Sequence, residues 1–241
     1  MPTEQTLSFC ITCYNKDIHL LDSLIDWMKM QTVHPDEILI SCSGLPEGFK
    51  YKLNHIYIKN KQVPIHTINS PQIHNQACAR NAGASASSCT YITFFDIDDV
   101  PHPQKIEITK KYINGYDFLV HNFFEIPKKT LRENFKNINF RNYKISSIDY
   151  CDDLDLNRSC SNISVMCKKY KNPDGSGLHH SHATFKTSIF NNIQFNTKPQ
   201  FHRFEDGIFL QNVIIHKYPG IHLNASLVAY SSNLCSKCIY T

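Results

Sequence analysis

Three carboxylates, Asp96, Asp98 and Asp99, stand within four positions directly after the apolar run YITFF at residues 91–95. Like charges this close repel one another, so the cluster calls for a cation between them. Aspartates spaced two apart behind an apolar strand suit a hard divalent ion, Mg²⁺ or Mn²⁺, bridging to phosphate oxygens. The C-terminal edge of a parallel sheet is also where open α/β folds bind ligands. A plainer reading gives Asp99 the task of capping the following helix. One cap does not use three carboxylates.

A second acidic pair, Glu205 and Asp206, opens a helical pattern at residues 204–217. Acids in a first helical turn are favoured by the helix dipole alone. The stretch HHSH (179–182) offers imidazoles as further metal ligands. Ten cysteines include two C-x-x-C pairs, Cys10/Cys13 and Cys235/Cys238, which could on paper make a zinc site. Cys10 and Cys13 lie on a strand pattern, however, where residues three apart face opposite ways. Most of the ten cysteines read as small buried hydrophobes in a reducing compartment, and the sequons at Asn162 and Asn224 are expected to stay unmodified.

The 241 residues suit one large domain or two small ones, with ample chain for a core. With 41% hydrophobic and 19% charged residues, the chain falls outside the disordered class. A net charge of +4 agrees with an anionic small ligand and lacks the dense basic patch of a nucleic-acid binder. The start carries no signal-peptide pattern, and no apolar run approaches a membrane span, which points to a cytoplasmic chain.

Those side chains must be carried by regular elements. TLSFCITCY (6–14) reads as a strand and DIHLLDSLIDWMKMQ (17–31) as a helix, with Ile18, Leu21, Leu24, Ile25 and Met28 at helical spacing. Strands follow at 36–44, His55–Lys59, Ile65–Ile68, 90–95 and 116–124, with helices at 73–88 and about 104–113. This alternation predicts an α/β domain, a Rossmann-like, mainly parallel central sheet flanked by helices. The pattern breaks at 126–178, where PKKTLRENFKNINFRNYK (127–144) interleaves basic and aromatic residues. It reads as a solvated connection, or as a surface for an anionic acceptor or a peripheral membrane contact. Beyond it come a strand and turn at 178–190, the helix at 204–217 and a strand at SLVAY.

In order along the chain stand SFCITCYN, LDSLIDWMKMQTVHPDEILIS, NQACARNAG, FFDIDD and FEDGIF. This ordered set resembles the family 2 glycosyltransferases of GT-A fold. The resemblance implies one GT-A domain over 1–241, with a nucleotide-binding half to about 124 and an acceptor-binding half from about 125. It implies a nucleoside diphosphate sugar as donor, with UDP the leading nucleotide, an Mn²⁺ or Mg²⁺ cofactor, and a glycan, lipid-linked or protein acceptor. In that scheme Asp98 holds the metal, and Asp96 contacts the ribose or the metal through water, with Ile97 between them at the nucleotide. Asp99 supports that shell or faces the donor sugar. Tyr14 and Asn15 line the base and ribose pocket, and Arg80 and Asn81 lie under the nucleotide, unless Arg80 is a helix-face salt bridge. Asp206 is the catalytic base, with Glu205 orienting it or the acceptor. The further metal ligand falls to His182 first, with His180, His216 and His222 as alternatives. The family's Asp-Asp-Gly-Ser is replaced at the end of the second strand by Cys42, Ser43 and Gly44. The residue expected to read uracil is therefore the uncharged Ser43.

Two other classes fit parts of the pattern. A haloacid-dehalogenase-type phosphatase would use Asp96 as nucleophile and Asp98 as acid/base, but that family sets its motif on the first strand. A catalytically silent sugar- or nucleotide-binding module of the same fold is the other.

Overall fold

Strand β1 (Leu7–Tyr14) is buried along almost its whole length, and a 3₁₀ turn (Asn15–Leu20) leads from it into helix α1 (Leu21–Lys29). There follow β2 (Glu37–Ser43), the hairpin β3 (His55–Ile58) and β4 (Lys61–Ile68), α2 (Gln76–Ala86), β5 (Tyr91–Asp96), β6 (Val100–Pro101) and α3 (Lys105–Tyr112). The second half holds β7 (Phe118–Pro127), β8 (Tyr150–Cys151), β9 (Leu154–Asn157), β10 (Ser164–Cys167), β11 (Thr184–Lys186), α4 (Glu205–Ile215) and β12 (Gly220–Ser232). The computed structural model describes residues 5–43, 49–58, 61–69, 74–127, 138, 140, 145–157, 164–167, 182–201 and 205–232.

The main sheet has the order β3-β4-β2-β1-β5-β11-β7-β12-β6, with β8 added to β12. Strands β4, β2, β1 and β5 run parallel, as the strand–helix alternation predicts. Beyond β5 the sheet is mixed, because the short β11 enters antiparallel to both β5 and β7. The sheet still runs continuously through both halves of the chain. β7 therefore points the same way as β5, and its C-terminal end lies at the edge where Asp96 emerges.

Both faces of the sheet are covered, which explains why its central strands are apolar without alternation. Phe9, Ile11, Ile38 and Ile40 pack with Leu24, Ile25 and Met28 of α1 on one face. Cys10, Leu39, Ile92 and Phe94 pack with Ala77 and Ala84 of α2 and Phe209, Leu210 and Val213 of α4 on the other. A Cβ on Gly83 would collide with Cys10 Sγ, so glycine lets α2 close down on β1. That close approach brings Arg80 over the strand ends.

Several expectations are refined. The helix read at 17–31 starts as 3₁₀ and becomes α only at Leu21. The strand read at SLVAY is the end of a much longer β12. Cys10 and Cys13 do face opposite sides of the sheet. Cys13, though, is joined in a disulfide to Cys42, its register partner on the parallel β2, with Cα atoms 4.7 Å apart. The reading of unpaired thiols is corrected there, because register sets those two side chains against each other on one face. Cys10 and Cys89 are free and buried. Most of 127–144, the turn at 172–177, His179–Ser181 and Cys235/Cys238 lie outside the described residues.

Candidate active site

Asp96 is the last residue of β5, and its carboxylate is held from three sides. Thr12 Oγ1 on β1 donates to Oδ1 at 2.8 Å, Arg80 Nη2 on α2 donates at 3.2 Å, and Gln76 Nε2 makes the third bond. All three converge on Oδ1, which leaves Oδ2 for a cation. Burial pushes the Asp96 pKa up, Asp98 and Asp206 push in the same direction, and Arg80 and Thr12 oppose them.

Arg80 itself is 2% exposed. Its Nη1 donates to Glu205 Oε1 at 2.8 Å, across 125 residues of sequence. Burial disfavours its charge, but Asp96, Asp206 and Glu205 outweigh that and hold it protonated. One buried guanidinium thus ties the end of β5 to the first turn of α4. Asp206, next along α4, accepts from the backbone N–H of Gly207 at 2.7 Å. The positive end of the α4 dipole faces both acids.

After Asp96 the chain turns, with Asp99 N–H donating to Asp96 O at 3.2 Å and the buried Ile97 N–H donating to Thr12 O at 3.1 Å. Asp99 is carried inward to 1% exposure. Its Oδ1 accepts from the Ser231 N–H of β12 at 2.7 Å, and its Oδ2 lies 2.7 Å from His182 Nε2. His182, fully buried just before β11, packs its ring 4.7 Å from that of Phe95. Ligand atoms of Asp96, Asp99 and His182 all lie within 4.8 Å of one another. Two carboxylates and one imidazole make a hard, borderline donor set that fits Mn²⁺ or Mg²⁺.

The other residues singled out by sequence are distributed unevenly. Asp98 is half-buried on the same turn but is not one of the three clustered residues. Tyr14 and Asn15 stand at the end of β1, and the Tyr14 phenol is held up by burial and by the charge of Glu205. Ser43 ends β2 in register with Tyr14, its side chain lying outside the described residues. Asn81 gives both ends of its amide to the backbone of Phe195, at 2.9 Å each, so a ligand would have to break those bonds. Of the four histidines, His182 is the one at the cluster. His216 caps the far end of α4 on Asn212 O, His222 bonds Asn122, and His180 is outside the described residues. Thr12 and Gln76, which hold Asp96, carry no sequence signal of their own.

A mainly parallel α/β sheet with carboxylates gathered at the C-terminal edge of its central strands belongs to the class of folds that bind ligands at that edge. Within that class, the chain belongs to glycosyl transferase family 2, whose model matches residues 8–193. Among solved structures it is similar to S. aureus TarS 1–349, with a TM-score of 0.57 and 12% identity, covering 94% of this chain and 60% of that one. TarS 1–349 in complex with UDP-GlcNAc gives 0.54 and 12%, covering 98% and 62%. A mycobacterial protein gives 0.52 and 10%, covering 97% and 69%. The chain thus spans about three fifths of the TarS structures' length, and the likeness at this identity is one of fold. No curated protein matches the sequence.

Proposed function

We propose that the protein transfers a glycosyl group from a nucleoside diphosphate sugar to an acceptor hydroxyl, with inversion at the anomeric carbon. The observation that carries this reading is the Arg80 bridge, which brings the Glu205–Asp206 turn of α4 against the acidic cluster on β5. A leaving-group site and a proton-accepting site then lie side by side at one edge of the sheet, an arrangement that suits inverting transfer.

In this reading Asp206 takes the acceptor hydroxyl's proton as that oxygen attacks the anomeric carbon. The bond from that carbon to the diphosphate oxygen breaks on the opposite face, and its electron pair leaves with the diphosphate. Glu205, held by Arg80, is a positioning residue that fixes the first turn of α4. Asp96, Asp99 and His182 would hold the divalent cation, with Asp98 on the same turn facing the donor. Bound there, the cation supplies Lewis-acid neutralisation of the departing diphosphate. Tyr14 and Asn15 would border the base and ribose. UDP leads as the nucleotide because the TarS structures include complexes with UDP and UDP-GlcNAc, although Ser43 stands where the family's uracil-reading acid would be.

The test is a panel of nucleotide sugars, UDP-GlcNAc first, incubated with Mn²⁺ and scored for release of free nucleoside diphosphate. Donor-specific release abolished by chelator supports the reading. Release of inorganic phosphate from simple monoesters, with no nucleotide released from any donor, would overturn it in favour of a phosphatase.

A further inference from the structure

Strand β12 does not run evenly beside β7. Its register slips between Leu223 and Ser226 and again between Ser226 and Ala229. Such bulges re-aim side chains and recur beside active sites. Here they border a cavity of about 760 Å³, within the roughly 300–1,000 Å³ typical of small-molecule sites.

Its walls are of two kinds. Phe124 and Phe140, with ring centroids 5.4 Å apart at 87°, give it aromatic surface. Glu125, Ser147, Asn224 and Ser226 give it a carboxylate, an amide and two hydroxyls. Asn224 is oriented by Asn122, whose Nδ2 donates to its Oδ1 at 2.8 Å, while His222 Nε2 fixes Asn122 Oδ1 at 2.7 Å. That leaves the Asn224 Nδ2 donors, the Glu125 carboxylate and both serine hydroxyls without protein partners among the described residues. Aromatic faces beside carboxylate and amide groups match a ring with apolar C–H faces and a rim of hydroxyls.

The cavity also adjoins the acidic cluster. Glu125 is the register partner of Tyr230. The Tyr230 phenol is pushed up to about 12 by burial and then by the charges of Asp99, Asp96, Asp98 and Glu125. Ser231, next to Tyr230 on β12, donates its N–H to Asp99, so the wall meets the cluster through that strand, and the Glu125 carboxylate in the wall itself favours a neutral occupant over an anionic one.

We infer that this cavity binds a neutral saccharide through Phe124, Phe140, Glu125 and Asn224, as the non-reacting part of the acceptor. Naming the occupant as acceptor rests on the glycosyltransferase reading; saccharide binding as such does not. Acceptor binding remote from the reacting hydroxyl would contribute to orienting it.

Saturation-transfer NMR tests this on the full chain, with free glucose, galactose, N-acetylglucosamine, lactose, maltose and chitobiose as probes. At least one should receive saturation on its ring protons, and the exposed-site variants Asn224→Ala and Glu125→Gln should each weaken it by about tenfold, the loss of one good hydrogen bond. Phe124→Ala should abolish the signal. UDP binding, followed by thermal shift in the same samples, reports separately on the donor reading and on folding. UDP binding with no saccharide binding, or saccharide binding unchanged in both exposed variants, overturns this inference while leaving the donor reading intact. Saccharide binding without UDP binding would retain the cavity and remove its acceptor role.

Discussion

Asp99 and His182 are buried face to face, with the carboxylate Oδ2 2.7 Å from the imidazole Nε2, although 83 positions separate them in the chain. The turn after β5 delivers one and the entry to β11 the other, because β11 pairs directly with β5. If Asp96 completes this set around a cation, Asp99→Asn and His182→Asn should each weaken Mn²⁺ binding at least about tenfold, read by EPR titration. Circular dichroism should show the fold retained. Unchanged Mn²⁺ affinity in both variants would remove the pair from the metal site.

The Arg80 bridge makes a separate prediction about stability. Arg80→Met would leave the carboxylates of Asp96 and Glu205, whose side chains are 18% and 8% exposed, without their shared cation. Breaking a buried pair in this way costs about 3–5 kcal/mol. Arg80→Lys keeps the charge but cannot span both acids with one planar fork, so its loss should be smaller yet measurable. Urea denaturation checks the order: parent most stable, then Arg80→Lys, then Arg80→Met. An Arg80→Met protein as stable as the parent would mean the bridge contributes nothing net.

The acid limb of stability should report on His222. Burial lowers its pKa from 6.5 to about 4. As pH falls through 6.5 the unfolded chain takes up a proton that the folded chain refuses until about pH 4. The stabilisation is therefore complete above pH 6.5 and is lost between 6.5 and 4, by up to about 3 kcal/mol. His222→Gln, which keeps a donor toward Asn122, should flatten that limb in melting temperatures recorded from pH 7 to 4. An unchanged slope would contradict it.

What the sequence made legible follows from how local the signal is. The strand YITFF with Asp96, Asp98 and Asp99 behind it, and the Glu205–Asp206 turn ahead of α4, are written in adjacent residues. Their elements were readable for that reason. The partners of those acids were not readable from local pattern. Thr12 and Gln76 are ordinary polar residues until β1 and α2 bring them to Asp96. Arg80 reads equally well as an exposed helix-face residue until Gly83 lets α2 sink onto Cys10. His182, put first among the candidate histidines by the family resemblance, has no local pattern that ties it to Asp99; β11 slotting between β5 and β7 does that. The antiparallel entry of β11 is itself a tertiary outcome, since three residues carry too little periodicity to announce their direction.

The central claim, that α4 supplies the base to a donor held at β5, is tested most directly by Asp206→Asn. The comparison is the rate of nucleotide release from the donor identified by the panel, set beside nucleotide affinity from thermal shift. The account predicts a kcat lower by about 10²–10⁴-fold, with nucleotide affinity and Mn²⁺ dependence kept. Transfer at the parent rate by Asp206→Asn would contradict it.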